Sequence, residues 1–149
     1  MSAIEDIDDA LIGLRRLWAH SRTFQDPTMG QVDLSTVLVC REIAALAREV
    51  NVADIAAGLD VAHSTASRLV DRAQQAGAVA RVRSSYDGRR TSVELTAAGK
   101  RLHDTATGFR VDYLRGLLAD WNQVDLDLFA HLFTRFAEDV HDHPLGETS

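Results

Sequence analysis

Cysteine is almost missing from this sequence. Cys40 is the single one in 149 residues, which excludes an internal disulfide framework and fits a reducing compartment. No apolar run approaches the roughly 20 residues that cross a bilayer as a helix, so no membrane span is expected. The opening run Met1-Ser2-Ala3-Ile4-Glu5-Asp6 is acidic and lacks a basic n-region and a small-residue cleavage site. A signal peptide is therefore not expected, and a cytoplasmic location is. Enzyme signatures are missing too: there is no nucleophile elbow, phosphate loop, paired metal-ligand motif or dinucleotide fingerprint. Asp and Glu are plentiful but show no convergent pattern, so neither catalysis nor a cofactor is expected. Internal repeats and low-complexity tracts are absent.

What is present is apolar material and an uneven charge. Hydrophobic residues make up 46% of the chain, enough for a core, and the length suits one domain or a small domain with helical extensions. The net charge is -6, yet between His63 and Arg101 eight basic residues face only three acidic ones, a local +5. The basic ones are Arg68, Arg72, Arg81, Arg83, Arg89, Arg90, Lys100 and Arg101; the acidic ones are Asp71, Asp87 and Glu94. The rest of the chain, with eight basic and nineteen acidic residues, carries -11. One basic block in an acidic chain suits a local nucleic-acid footprint whose flanks discourage indiscriminate binding.

Hydrophobic spacing supplies the elements. Ile4, Ile7, Leu11, Leu14 and Trp18 predict an amphipathic helix to about Arg22, ended by Pro27 and Gly30. A second helix is predicted from Asp33 to about Val50, with Leu34, Val37, Leu38, Ile43 and Leu46 inward. Asn51 is a good N-cap for a short third helix carrying Val52, Ile55, Ala56 and Leu59. A fourth follows Gly58-Leu59-Asp60-Val61, with Ala66, Leu69, Val70 and Ala73 inward, and ends before Gly77. Val79 and Val82 alternate with Arg81 and Arg83, and Val93 and Leu95 follow Thr91, with Asp87-Gly88 between them. That pattern predicts a β-hairpin. Thr96 can cap a long helix to about Ala119, and Asp125 a last one carrying Leu128, Phe129, Leu132, Phe133, Phe136 and Val140, with a frayed tail from His143. The fold class expected is mainly α with a small β-hairpin wing, a winged helix-turn-helix at 33–99 flanked by helical segments 1–32 and 100–149.

The stretch Val52–Gly99 resembles the MarR family of bacterial regulators. The likeness rests on Asp54-Ile55-Ala56, on Ser64-Thr65-Ala66-Ser67-Arg68-Leu69-Val70-Asp71-Arg72, on Gly77 and Val79, on Asp87-Gly88-Arg89 in the wing, and on Leu95-Thr96-Ala97-Ala98-Gly99. Each is weak alone; their order and spacing are specific. Ala62 departs from the Ser or Asp that commonly caps the recognition helix, so His63 or Ser64 is expected to start it. Ala66 and Ala73 replace bulkier aliphatics, which implies shallower packing.

With the apolar stripe turned inward, His63, Ser64, Thr65, Ser67 and Arg68 are left for a DNA major groove, base against phosphate contact remaining open and the hydroxyls otherwise satisfying the helix start; Arg72 is a further DNA-binding candidate. By resemblance, Arg89 enters the minor groove, Asp87 holds the wing by local hydrogen bonds and Gly88 lets the backbone turn. Arg90, Arg81 and Arg83 touch phosphate or merely solvate the hairpin. The first helix and the last two cannot bury their apolar faces on so small a domain; the resemblance implies that they interdigitate across a two-fold axis. The partners expected are a second copy and double-stranded DNA carrying a near-palindromic operator. The function expected is a ligand-responsive repressor. The alternative is a winged-helix protein-interaction module without specific DNA binding, which has no need of Arg68, Arg72, Arg89 and Arg90 on one face.

Many MarR-like proteins bind small aromatic or phenolic acids beside the dimerisation helices. Arg15 and Arg16, with Trp18 and His20, are the candidate residues here; the competing reading places Trp18 in the core and pairs the arginines with carboxylates. Cys40 is read as a buried inert thiol, because peroxide-sensing relatives carry their cysteine in the first helix. His141 and His143 are read as solvated and not as metal ligands.

Overall fold

The structure, a computed structural model, describes residues 1–19 and 22–146; the side chains of Trp18 and Ala19 also lie outside the description. Two compact units divide it, Met1–Gly108 and Phe109–Ser149.

In the first unit, helix α1 (Ala3–Leu14) starts in a capping box in which the Ser2 hydroxyl accepts from the Glu5 amide at 3.3 Å. In return Glu5 accepts from the Ser2 amide at 2.5 Å, which holds its carboxyl below the usual range. The single helix expected to Arg22 is broken. Arg15 separates α1 from the four-residue α2 (Arg16–Ala19), and Gly13, a weak helix former, lies in the last turn before the break.

Pro27 and Gly30, expected only to end the first helix, lie in a hairpin that the helical spacing does not predict. Strands β1 (Thr23–Asp26) and β2 (Gly30–Asp33) form an antiparallel hairpin in which Phe24 pairs with Val32 and Asp26 with Gly30. The buried Asp26 carboxylate accepts from the Thr28 and Met29 amides at 2.8 and 2.7 Å, and Gly30 has a φ of +75°, open to glycine without strain. A three-residue loop closed by a left-handed glycine is a common hairpin connection.

Helix α3 (Leu34–Ala45) buries Thr36, Val37, Val39, Cys40 and Ile43, and stops five residues short of the expected end. The reason lies at Val50, whose carbonyl is drawn out of helical geometry to accept from the Val93 amide at 2.7 Å. Helices α4 (Val52–Leu59) and α5 (His63–Gln75) follow, then strands β3 (Val79–Arg83) and β4 (Thr91–Leu95), paired from Val79 with Leu95 to Arg83 with Thr91. Ile55, Ala66, Val70, Ala73, Val79 and Val93 from these elements join α3 in one core. Leu102 and Ala106, on helix α6 (Ala97–Leu117), belong to it as well. Ala66 and Ala73 are fully buried, so the small side chains mark close helix approach.

Two local devices connect α5, the hairpin and α6. After α5, the Gly77 amide reaches the Gln74 carbonyl and the Ala78 amide the Ala73 carbonyl, with Gly77 at φ +82°, a Schellman close. Thr96 then donates its hydroxyl to the Gly77 carbonyl at 2.6 Å and accepts from the Gly99 amide at 3.1 Å. Its own amide reaches the Ala78 carbonyl at 3.0 Å. A side chain at Gly99 would collide with that Ala78 carbonyl, so the spacing Thr96-x-x-Gly99 is a steric requirement.

In the second unit, α7 (Gln123–Asp142) is capped by Asn122, not by Asp125 as expected. Asn122 accepts from the Asp125 amide at 2.9 Å and donates to its carboxylate at 2.7 Å, so Asp125 takes the third helical position. No residue of α7 is buried. Trp121 stands edge-on to Phe129, centroids 5.3 Å apart, and Phe129 stacks on Phe133 at 5.2 Å.

Candidate nucleic-acid interface

Helix α4 is fixed at its start by reciprocal bonds: Asn51 accepts from the Asp54 amide at 2.8 Å and Asp54 from the Asn51 amide at 3.0 Å. Arg48 grips the same carboxylate with both guanidinium nitrogens, at 2.9 and 3.0 Å. The Arg48 hydrogen bond, aided by Asn51 and opposed by partial burial, holds the Asp54 carboxyl below its ordinary range; Asp54 in turn raises Arg48. The turn to α5 places Asp60 in the left-handed region at φ 52°, a conformation that Asp tolerates better than most side chains. The Asp60 amide reaches the Ala57 carbonyl and the Val61 amide that of Ala56.

Helix α5 then starts at His63 with Ala62 in the cap position, and no side chain caps it. Its buried line is Ala66, Val70 and Ala73; His63, Ser64, Arg68 and Arg72 are exposed, while Thr65 and Ser67 are half-buried. Arg68 makes a long contact, 3.4 Å, to the Thr65 hydroxyl, and Arg72 has no ion pair among the described residues.

The basic residues of the hairpin divide into two sorts. Arg81 is a strut: it pairs with Asp71 at 2.6 Å and donates to the Gln74 side chain at 2.9 Å and the Ser67 carbonyl at 3.3 Å. It joins β3 to α5 and is not free for a partner. Arg90 makes a looser, exposed pair with Asp87 at 3.6 Å. Arg83 and Arg89 are exposed with no ion pair among the described residues. Asp87 also accepts from the Arg89 amide at 3.0 Å, and the Arg90 amide reaches the Asp87 carbonyl at 2.9 Å. Gly88 has neither a left-handed φ nor a close neighbour, so the turn does not depend on it in the way the Asp-Gly pattern suggested.

The sequence reading missed what holds the wing root. Glu49, on the α3–α4 connection, accepts from the Ser84 hydroxyl at 2.5 Å and from the Ser85 amide and hydroxyl at 2.7 and 2.5 Å. These bonds, Ser84 first, hold its carboxyl below the usual range. No local pattern signals a bond across 35 residues. A cleft of about 270 Å³ lies here, with Arg48, Glu49, Asn51, Tyr86, Asp87 and Arg90 in its wall. Tyr86, also missed, is 89% exposed.

The proposed ligand residues are far less defined. Arg15 and Arg16 are exposed around the α1–α2 break; the Trp18 side chain and His20 lie outside the described residues. Cys40 is fully buried, and desolvation pushes its thiol up to about 11, so it stays protonated at neutral pH. Among the described residues no cluster of three His, Cys, Asp or Glu side chains suits a metal ion; His143 donates through Nδ1 to the Asp139 carbonyl at 3.1 Å. Nor is any described helix long and apolar enough to cross a membrane.

Residues 35–90, from α3 to the wing loop, match the family model of the MarR family. A MarR family protein from Bacillus stearothermophilus is similar over 94% of this chain and 99% of its own, with a TM-score of 0.73 and 17% identity. Streptococcus pneumoniae FabT, solved in complex with DNA, is similar over 93% and 98%, with a TM-score of 0.70 and 17% identity. CouR from Rhodococcus jostii RHA1, bound to p-coumaroyl-CoA, covers 78% of each chain with a TM-score of 0.62 and 23% identity. At such identities the likeness to these structures is one of fold. No curated protein matches the sequence.

Proposed function

We propose that this chain, whose helix-turn-helix and wing are those of the MarR family, is a sequence-specific DNA-binding repressor that acts as a homodimer in the cytoplasm. One observation carries the reading. The exposed cations of α5 and the wing, Arg68, Arg72, Arg83 and Arg89, have no ion pair among the described residues, whereas the structural cations Arg48 and Arg81 are paired with Asp54 and Asp71. Guanidinium groups free of an ion pair among the described residues, together with an uncapped helix start, suit phosphates and base edges. His63, Ser64, Thr65, Ser67, Arg68 and Arg72 serve the major groove; Arg89 enters the minor groove from a turn held by Asp87, with Gly88 beside it and Arg90 toward phosphate. The solved DNA complex of FabT supports this use of the fold.

Segments 1–32 and 100–149 carry the dimer contacts. The exposed apolar residues Ile4, Ile7, Leu11 and Leu14 of α1, and Leu128, Phe129, Leu132 and Phe133 of α7, are the surface a second copy would cover. Two copies present two α5 helices to half-sites about one DNA turn apart. An aromatic or phenolic acid is the proposed effector, with Arg15, Arg16, Trp18 and His20 as its residues; the ligand complex of CouR supports a ligand-responsive fold.

The test is an anisotropy titration of the labelled DNA upstream of its own gene, at several salt concentrations, against an unrelated duplex. Specific binding at about 10⁻⁸ M or tighter, weakening steeply with salt, is expected. Equal affinity for both duplexes, or no binding at low salt, would leave a protein-interaction module as the better account.

A further inference from the structure

We propose that Glu49 is a positioning residue for DNA binding, which acts through Ser84 and Asp87 on Arg89; this rests on the DNA-binding reading above. The tripeptide Arg48-Glu49-Val50 is a bracket between helix-turn-helix and wing. Arg48 ties it to the start of α4 through Asp54, and also donates to the Glu49 carbonyl at 2.9 Å. Val50 accepts from Val93 in β4. Glu49 takes the end of β3, using one carboxylate oxygen on Ser84 and the other on Ser85. The bracket thus holds both strands of the wing.

From Ser84 the order passes outward. Its hydroxyl donates to Glu49 and accepts from the Tyr86 and Asp87 amides at 3.2 and 3.3 Å. Asp87 in turn takes the Arg89 amide at 3.0 Å. Four residues therefore form one relay, Glu49 to Ser84 to Asp87 to the Arg89 amide, and Arg89 carries a guanidinium with no ion pair among the described residues. The β3–β4 ladder from Val79 to Arg83 does not include Glu49. Its loss therefore removes the outer anchor of Ser84 and Ser85, while the strand ladder and the Ser84 amide bond to the Arg90 carbonyl at 3.0 Å stay in place. A wing held before DNA arrives spends less conformational entropy on binding.

The sign of the effect separates this from simple electrostatics. Glu49 is an anion near a proposed polyanion interface, so on charge alone Glu49→Ala should tighten DNA binding. Positioning predicts the opposite. In the anisotropy titration, Arg89→Ala should weaken specific binding about tenfold or more, and Glu49→Ala about threefold to tenfold. In the Arg89→Ala background the further loss from Glu49→Ala should shrink below about twofold, since the two act in one relay. Glu49→Asp, which keeps the carboxylate, should recover part of the loss. A second readout needs no DNA: amide exchange at Ser85 and Arg89 should quicken in Glu49→Ala while exchange at Val82 and Val93 does not. Tightened binding, equal losses in both backgrounds, or unchanged exchange at Ser85 would each overturn the proposal. Should Arg89→Ala leave specific binding intact, the wing assignment itself fails and the relay has nothing to position; faster exchange would then survive only as a structural fact. Glu49→Gln serves if the alanine variant does not fold.

Discussion

Two helical regions of this chain carry apolar residues at the same three-and-four spacing, and their surroundings differ completely. In α4 and α5, Ile55, Ala66, Val70 and Ala73 are at or near 0% exposed. In α7, Phe129, Leu132 and Phe133 stand 40, 48 and 46% exposed, and no residue of that helix is buried. Periodicity defines a face; it does not say what covers it. The first face is covered by other parts of the same unit. The second has no buried residue along its whole length, and its two stacked phenylalanines with Trp121 make a large apolar surface.

The sharpest way to break this contrast is to truncate one residue on each side. Leu102→Ala, at 0% exposure, should cost about 2–5 kcal/mol of unfolding free energy, measured by urea denaturation at fixed protein concentration. Phe133→Ala should show its loss elsewhere, as self-association weakened about tenfold or more in sedimentation runs. A Phe133→Ala protein that associates as before would mean that α7 is not a dimer surface. A smaller effect probes the uncapped start of α5. Ala62→Ser should gain about 1 kcal/mol, provided the hydroxyl reaches the Thr65 or Ser64 amide; an unchanged midpoint would show that neither amide lacks a partner.

The mildest test is acid. Asp54 and Glu49 both have carboxyls held below their ordinary values of 3.8 and 4.5. Depressed values mean that their contribution is complete above those ordinary values and is lost as pH falls through the lower folded ones. The contribution of these two groups to stability and wing protection should therefore be complete down to about pH 4.5 and decline below it. Arg48→Ala should flatten that acid limb, since the Arg48 bond is the main cause of the Asp54 shift.

How much of this was legible depends on the range of each interaction. The cap at Asn51, the glycine at 77 and the cap at Thr96 could be read because each acts within a few residues. The β1–β2 hairpin is equally local, but Pro27 and Gly30 break a helical pattern as readily as they close a turn, and only the Asp26 bonds to Thr28 and Met29 tell the two apart. Asn122 lost to Asp125 in the same way, one end of a reciprocal pair being taken for the other. What could not be read was distant: Glu49 on Ser84, Arg81 on Asp71 and Gln74, Gly99 on the Ala78 carbonyl. The wing candidates Asp87 and Arg89 were found through family likeness, whereas the residues that would steer them needed coordinates.

The solitary thiol has a practical side. Because Cys40 is sealed in the core and protonated at neutral pH, a maleimide added to the folded protein has nothing to react with. A cysteine introduced at Tyr86, on the wing, would then take a dye alone and report where the wing points, with no need to remove the native residue. On a longer timescale the same silence becomes a clock: the first appearance of label on Cys40 marks the moment the core opens.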